Sequence, residues 1–386
     1  MPATVFALVT ALMVSFSLTP AARRLALHLG LIDRPGPRKV HLTPIPLLGG
    51  LAIYVGALLA ILLFIDRSAW NQVIGIIAGG TLLWIVGTLD DHGLLHPQIK
   101  LMITMPLAAF FLIASGVHAA IFESLVSPSL GYALSSAALV ADYALTLLWV
   151  VGITAAFNIL DHMDGLCAGI AAFASAFFLL FAVQGNQVLV GTLAAAILGG
   201  SLGFLRWNFN PAKIFMGDGG AVFLGFMVAA LGLKLRFPQM PLATSWMIPV
   251  LVLGVPIFDT TLVTISRARR GLLPFSSPGK DHTAHRLANL GLGQRGAVLV
   301  LYTLGGLFGL LAVLVSQSPV RRSYGLAGIV TLAGLLSITA LERAPYERQG
   351  REEGTEGSDE ALGAEGGNVR DRGSHTAALG DGDQKR

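Results

Sequence analysis

The sequence predicts an all-α fold, a polytopic membrane bundle of about eleven transmembrane helices, and three observations lead there. Of its 386 residues, 54% are hydrophobic and only 12% are charged, whereas soluble domains carry about 25% charged residues. Apolar runs close to the roughly 20 residues needed to cross a bilayer recur along the whole chain. Most of the charges fall between those runs, with Asp142, Lys234 and Asp259 inside them. The runs lie near 3–20, 47–65, 73–89, 101–117, 139–158, 165–184, 187–205, 219–235, 245–265, 296–315 and 323–341.

The first run has no basic segment before it and is followed by Arg23 and Arg24, the reverse of a secretory signal peptide. It predicts an N-terminus outside and a first loop inside. Alternating from there puts fourteen Lys and Arg on inside loops and five on outside loops, as the positive-inside rule requires; Arg321 and Arg322 run against it. Residues 1–341 hold 19 Lys and Arg against 11 Asp and Glu, a net +8. Residues 342–386 hold 7 against 11, a net −4, and are rich in Gly. The chain therefore divides into a membrane domain, 1–341, that bears the chemistry, and a disordered acidic cytoplasmic tail, 342–386. The single cysteine, Cys167, excludes a disulfide framework and a Cys-based zinc site within one chain. No internal repeat of the transporter kind is visible.

The acids sort by side. Asp33, Asp90, Asp91, Asp161, Asp164, Asp218, Asp259 and Asp281 fall on inside loops or inside helix ends, and only Asp66, Glu123 and Asp142 face out. A carboxylate near the bilayer core is costly unless paired, hydrated or bound to a cation, so their convergence on one face marks a candidate site.

Five inside loops carry it. The first, Asp33–Gly50, is irregular from its prolines and glycines; its Arg38, Lys39 and His41 suit either substrate phosphates or lipid headgroups. In the second, GTLDDHGLLHPQIKL, the adjacent Asp90 and Asp91 repel each other unless a cation intervenes. Magnesium takes one or two carboxylates plus substrate phosphates, and Lys100 follows to neutralise a phosphate. In the third, NILDHMDGL, Asp161 and Asp164 share a face if the segment is helical; alternatively one of them caps the next helix. Asn158 stands beside them, and His162 reads as a bystander. In the fourth, Gly217-Asp218-Gly219-Gly220 opens an apolar helix, where glycine permits close approach of backbone to ligand. Phe215 and Asn208 suit stacking on and hydrogen bonding to a flat base. The fifth, Arg267–Leu287, gathers Asp281, His282, His285 and Arg286. The two histidines at spacing three suit a metal or an anion, and a basic loop lacking Cys and Glu favours the anion.

In order, Asp90-Asp91 with Pro97 and Lys100, Asn158 with Asp161 and Asp164-Gly165-Leu166, the run Pro211–Asp218, and His285-Arg286-Leu287 resemble one family. It is the polyprenyl-phosphate N-acetylhexosamine-1-phosphate transferases, in the superfamily that includes phospho-MurNAc-pentapeptide translocase. The resemblance runs from about Asp33 to Leu287. It implies magnesium as cofactor, with manganese as an alternative, on Asp218 as principal ligand with Asp90 and Asp91. It implies a nucleotide pocket of Asn158, Asp161, Asp164, Asn208 and Phe215, and substrate contacts from Lys39, His41 and Arg286. Asp90, Asp91, Lys100, Asp218, His282 and His285 are the implied catalytic set. Many relatives carry three histidines in the last loop; DHTAHRL has two. The stretch RKVHLTPIPLLGG resembles the UDP-GlcNAc branch, and the alternative donor is UDP-MurNAc-pentapeptide.

The implied reaction is attack of a polyprenyl phosphate, such as undecaprenyl phosphate, on the β-phosphorus of a UDP-N-acetylhexosamine. UMP leaves, as a first membrane step of cell-envelope glycan synthesis. The implied setting is the bacterial cytoplasmic membrane with the site facing the cytoplasm; the implied partners are lipid, nucleotide sugar, bilayer and a second copy in a homodimer, without nucleic acid. Two rivals fit less well. A secondary transporter places its acids near the midplane on broken helices, and an intramembrane aspartyl protease needs Gly where Phe215 stands.

Overall fold

The computed structural model describes residues 2–34, 43–93, 99–125, 132–272 and 279–344. Lys39, His41, Pro97 and the tail from 345 onward lie outside them. The helices are α1 (Pro2–Leu29), α2 (Gly49–Phe64), α3 (Trp70–Asp90), α4 (Met105–Ala114, entered through a π turn over Lys100–Thr104), α5 (Phe122–Leu125) and α6 (Tyr132–Leu160). They continue with α7 (Leu166–Gln184), α8 (Val188–Asn208), α9 (Gly217–Lys234), α10 (Leu242–Ser245), α11 (Met247–Val252), α12 (Gly254–Arg269), α13 (Thr283–Leu287), α14 (Gly293–Ser316) and α15 (Val320–Leu341). Among the described residues the only strands are Ile32–Asp33 and Ile45–Pro46, paired antiparallel with Ile32 opposite Pro46.

The chain is thus an all-α, multi-pass membrane protein. In lipid every backbone polar group must find its partner within the protein, and helices do this segment by segment. Each of the eleven apolar runs carries helix. Among the described residues, eight helices are long and apolar enough to cross a membrane. A ninth span forms if Leu242–Val252 and Gly254–Arg269 are taken together, although they bend by 76°. The remaining two runs form shorter helices, 16 residues in α2 and the stretch Lys100–Ala114.

Helix α9 is the axis of the bundle. It is apolar all round, as a helix enclosed by others must be, and it packs against α2, α3, α6 and α7. Its first turn meets two neighbours backbone to backbone. A Cβ on Gly50 would lie 2.5 Å from Gly220 Cα, and one on Gly87 would lie 2.6 Å from Gly219 Cα. Small residues at such crossings allow close packing in membranes. Gly87→Val should therefore wedge α3 off α9, costing about 1–3 kcal/mol or more because backbone cannot yield as a side chain can. Thermal unfolding in detergent checks this. At the other extreme, α15 is peripheral, with 6% of its apolar window buried.

Candidate active site

The glycines that bring α3 onto α9 also bring their acids together. Lys100 Nζ donates to Asp90 Oδ2 at 2.6 Å and also to Asp218 Oδ2. The lysine is buried, 7% exposed, so its ammonium is held between two carboxylates with little solvent. Asp91 does something different. Its Oδ1 accepts the Asp218 N–H at 2.8 Å, so the carboxylate stabilises the positive N-terminal end of α9. Gly217 makes this possible. Its φ is +74°, and a Cβ there would collide with the Asp91 carboxylate.

Burial, and then the like charge of Asp218, push the Asp91 carboxyl up to about 7, against the lowering effect of the Asp218 and Gly219 N–H groups. A carboxyl so raised is neutral below about pH 7 and charged above it. In the metal-free protein Asp91 should therefore ionise between about pH 6 and 8. Asp91→Asn should remove that step, which a proton titration of both folded proteins measures.

The third loop is not helical. Residues 161–165 form turns between α6 and α7, so Asp161 and Asp164 do not share a helical face. Neither caps α7: Gly165 holds the N-cap position, at φ 77°. Asp164 instead reaches across the site, where its Oδ2 accepts from Asn210 Nδ2 at 3.0 Å and from the Ala212 N–H at 2.9 Å. Burial, then the charges of Asp218, Asp91 and Asp164, raise the pKa of Asp161, which places it electrically within the acid centre. Asn158 is half-buried in the last turn of α6.

Asn208, 3% exposed, accepts the Gly165 N–H at 3.0 Å and donates to Ile214 O at 3.0 Å. Its amide is occupied with backbone and ties two loops together, which corrects its expected place as a base contact. Phe215 is part-exposed. Its N–H bonds Pro46 O and its carbonyl accepts the Gly49 N–H, each at 2.9 Å, so the loop before α9 is stitched to the end of the first inside loop.

In the fifth loop, His282 is held by Asp259 at 3.0 Å from Nδ1 to Oδ2, and the Thr283 N–H bonds the other oxygen at 2.7 Å. Asp281 takes a bidentate grip from Arg267, at 3.0 and 2.9 Å, and a further bond from Arg270. Burial would raise its pKa, but Arg267 and then Arg270 overcome this and hold it well below the usual carboxylate range.

Arg286 corrects an expectation. It is 0% exposed and donates to Asp281 O at 2.8 Å, Leu341 O at 2.7 Å and Ser266 Oγ at 2.8 Å. Glu342 Oε1 stands 2.9 Å from it. A guanidinium so enclosed and engaged has no face for a diphosphate; it fastens the loop to the end of α15. Glu342, the first residue of the expected tail, is thereby part of the folded body.

One residue that reads as a bystander in the sequence is at the centre. The His162 ring stacks on His282 with centroids 4.3 Å apart and lies 4.7 Å from that of His285. Three histidines therefore do meet, one from the third loop and two from the fifth. The only sequence signal was its place between Asp161 and Asp164.

Hard carboxylate oxygens on Asp90, Asp91 and Asp218, with Asp161 in electrostatic reach and Lys100 as counter-charge, are the donor chemistry of magnesium rather than of a thiophilic metal. Among the described residues no three acids or histidines close a metal shell by themselves. Magnesium keeps waters and takes substrate phosphates besides one or two carboxylates, so this open set fits it.

Fold and site together define a polytopic membrane protein with a cluster of acids around a buried lysine at one end of the bundle. The family model for glycosyl transferase family 4 matches residues 73–236. The chain is 35% identical over 319 residues to the probable undecaprenyl-phosphate N-acetylglucosaminyl 1-phosphate transferase of Bacillus subtilis (strain 168), covering 83% of this chain and 87% of the relative. It is 32% identical over 318 residues to the decaprenyl-phosphate N-acetylglucosaminephosphotransferase of Mycolicibacterium smegmatis, 76% and 77% of the two chains. It is 28% identical over 334 residues to the undecaprenyl-phosphate alpha-N-acetylglucosaminyl 1-phosphate transferase of Escherichia coli (strain K12), 84% and 87%. The chain belongs to glycosyl transferase family 4, among the polyprenyl-phosphate N-acetylglucosamine-1-phosphate transferases.

Proposed function

We propose that the protein transfers GlcNAc-1-phosphate from UDP-GlcNAc to a polyprenyl phosphate and releases UMP, at the cytoplasmic face of a bacterial inner membrane. The observation that carries this is the Asp90–Lys100–Asp218 constellation, set where the first turn of α9 meets α3. Two anions must be brought together, so the barrier is largely electrostatic and positional. Asp91 is committed to the α9 backbone, which leaves Asp90 and Asp218 to face the reactants. Lys100, poised between them, can move its charge onto a phosphate as that phosphate arrives. Asp218 and Asp90, with Asp91 behind them, would hold magnesium, which when bound neutralises developing charge on the phosphoryl oxygens. The fourteen-to-five split of basic residues supports the cytoplasmic placement.

The test is UMP release by purified protein in detergent, supplied with UDP-GlcNAc, undecaprenyl phosphate and magnesium. Release that requires the lipid and stops with EDTA supports the reading. A folded protein that releases no UMP with any UDP-N-acetylhexosamine or prenol overturns it.

A further inference from the structure

His162 has one nitrogen accounted for and one not. Its Nδ1 lies 3.0 Å from Ile159 O. A carbonyl only accepts, so Nδ1 carries the hydrogen and Nε2 of the neutral ring is left with a bare lone pair. That Nε2 is closed off from solvent and has no hydrogen-bond partner among the described residues. A buried polar atom left unpaired is costly, a cost that a partner arriving with the substrate removes. Burial, and then the neighbouring His282 and His285, lower the pKa of the ring, which keeps it an acceptor. An acceptor does not suit a phosphate oxygen, which is itself an acceptor. It suits an N–H or an O–H.

Of the substrates of the proposed reaction, the polyprenyl phosphate offers only anionic oxygens at its reacting end. The nucleotide sugar offers N–H and O–H donors on its uracil, its ribose and its hexosamine. His162, stacked on His282 and beside His285 of the implied catalytic set, stands with the groups at the reacting end, where the hexosamine lies. We infer that His162 is a sugar-recognition residue, its Nε2 accepting a hydrogen bond from an N–H or O–H of the hexosamine of the UDP-sugar. The inference rests on the donor being a UDP-N-acetylhexosamine. Access needs one stacked imidazole to swing aside. His282 is held by Asp259, so the ring that moves is His285. A site built to bond a substrate N–H or O–H discriminates strongly against analogues lacking it.

The experiment compares wild type with His162→Phe, which keeps a stacking ring and loses the acceptor, and with His162→Gln, which returns a polar atom at similar reach. Binding of UDP-GlcNAc, UDP-glucose and UDP is measured by calorimetry, alongside KM for both substrates. The Phe variant should weaken UDP-GlcNAc binding and raise its KM about tenfold, with affinity for UDP and KM for the lipid unchanged. The Gln variant should recover part of the loss. If the acetamido N–H is the donor, the preference for UDP-GlcNAc over UDP-glucose narrows in the Phe variant; if a hydroxyl is, both weaken together while UDP does not. Should the Phe variant fail to fold, the ratio of UDP-GlcNAc to UDP affinity in the Gln variant decides. Loss of UDP affinity in step with UDP-GlcNAc, or no change in either, overturns the assignment. Wild-type protein that binds no UDP-sugar overturns the functional reading, and this assignment with it.

Discussion

Asp218→Asn is expected to reduce UMP release by about 10³-fold or more while leaving the protein folded, because the substitution removes charge at the reacting centre and little else. Asn is nearly isosteric with Asp, so the close crossings of α9 with α2 and α3 through Gly220 and Gly219 are undisturbed. The Asp218 side chain is 36% exposed, and its N–H bond to Asp91 belongs to the backbone. What changes is the balance around Lys100. Its ammonium would keep Asp90 and lose its second carboxylate, and the oxygen-donor set that fits magnesium would lose its most accessible member. Steady-state UMP release and thermal unfolding, measured on the same preparation, separate the two effects. Near-normal turnover in magnesium would sink the assignment of Asp218.

Arg286→Met should act on stability rather than on chemistry. Replacement leaves Asp281 O, Leu341 O and Ser266 Oγ without their donor and strips Glu342 of a cation 2.9 Å away. Removing one partner from a buried ionic network costs about 3–5 kcal/mol, which would lower the unfolding temperature in detergent by several degrees. Arg286→Lys keeps the charge but lacks the planar fork that serves several acceptors at once, so it should fall between the two. Glu342→Gln should cost less than either, since the backbone acceptors remain served. An Arg286→Met protein that unfolds with the wild type would show that the tie to α15 holds nothing.

These two residues mark how far the sequence could be read. Asp218 was legible because its chemistry is local: a glycine-flanked acid at the start of an apolar run is visible without knowing what it touches. Arg286 was not, because its acceptor Leu341 O lies 55 residues away and nothing in the loop discloses that the helix end returns there. Apolar runs placed helix in all eleven segments, since run length and helix length are set by the same bilayer. They could not show that one run bends by 76° between Val252 and Gly254, beside a glycine whose added Cβ would strike the Phe308 ring at 2.8 Å. Asn208 and one oxygen of Asp91 were hidden in the same way. Their types suit ligands, but their atoms are used on backbone, and type alone does not distinguish the two. His162 erred in the opposite direction: a lone histidine between two acids gained meaning only when the fifth loop folded over it.

The brevity of two helices beside the acid centre has a further consequence. At about 1.5 Å per residue, the 16 residues of α2 measure about 24 Å, against a hydrocarbon slab of about 30 Å, and the stretch beginning at Lys100 is no longer. Both turn apolar side chains outward, Leu63 at 59% and Met102 at 71% exposure among them, so surrounding lipid must match them. A bilayer meets a short wall by thinning, at a cost that grows with each ångström of mismatch. Both helices have one end at the acid centre, and a dip in the headgroup plane on that side would bring lipid phosphates nearer Lys100. Acyl-chain length is therefore expected to change the rate of UMP release, which reconstitution in bilayers of different thickness measures.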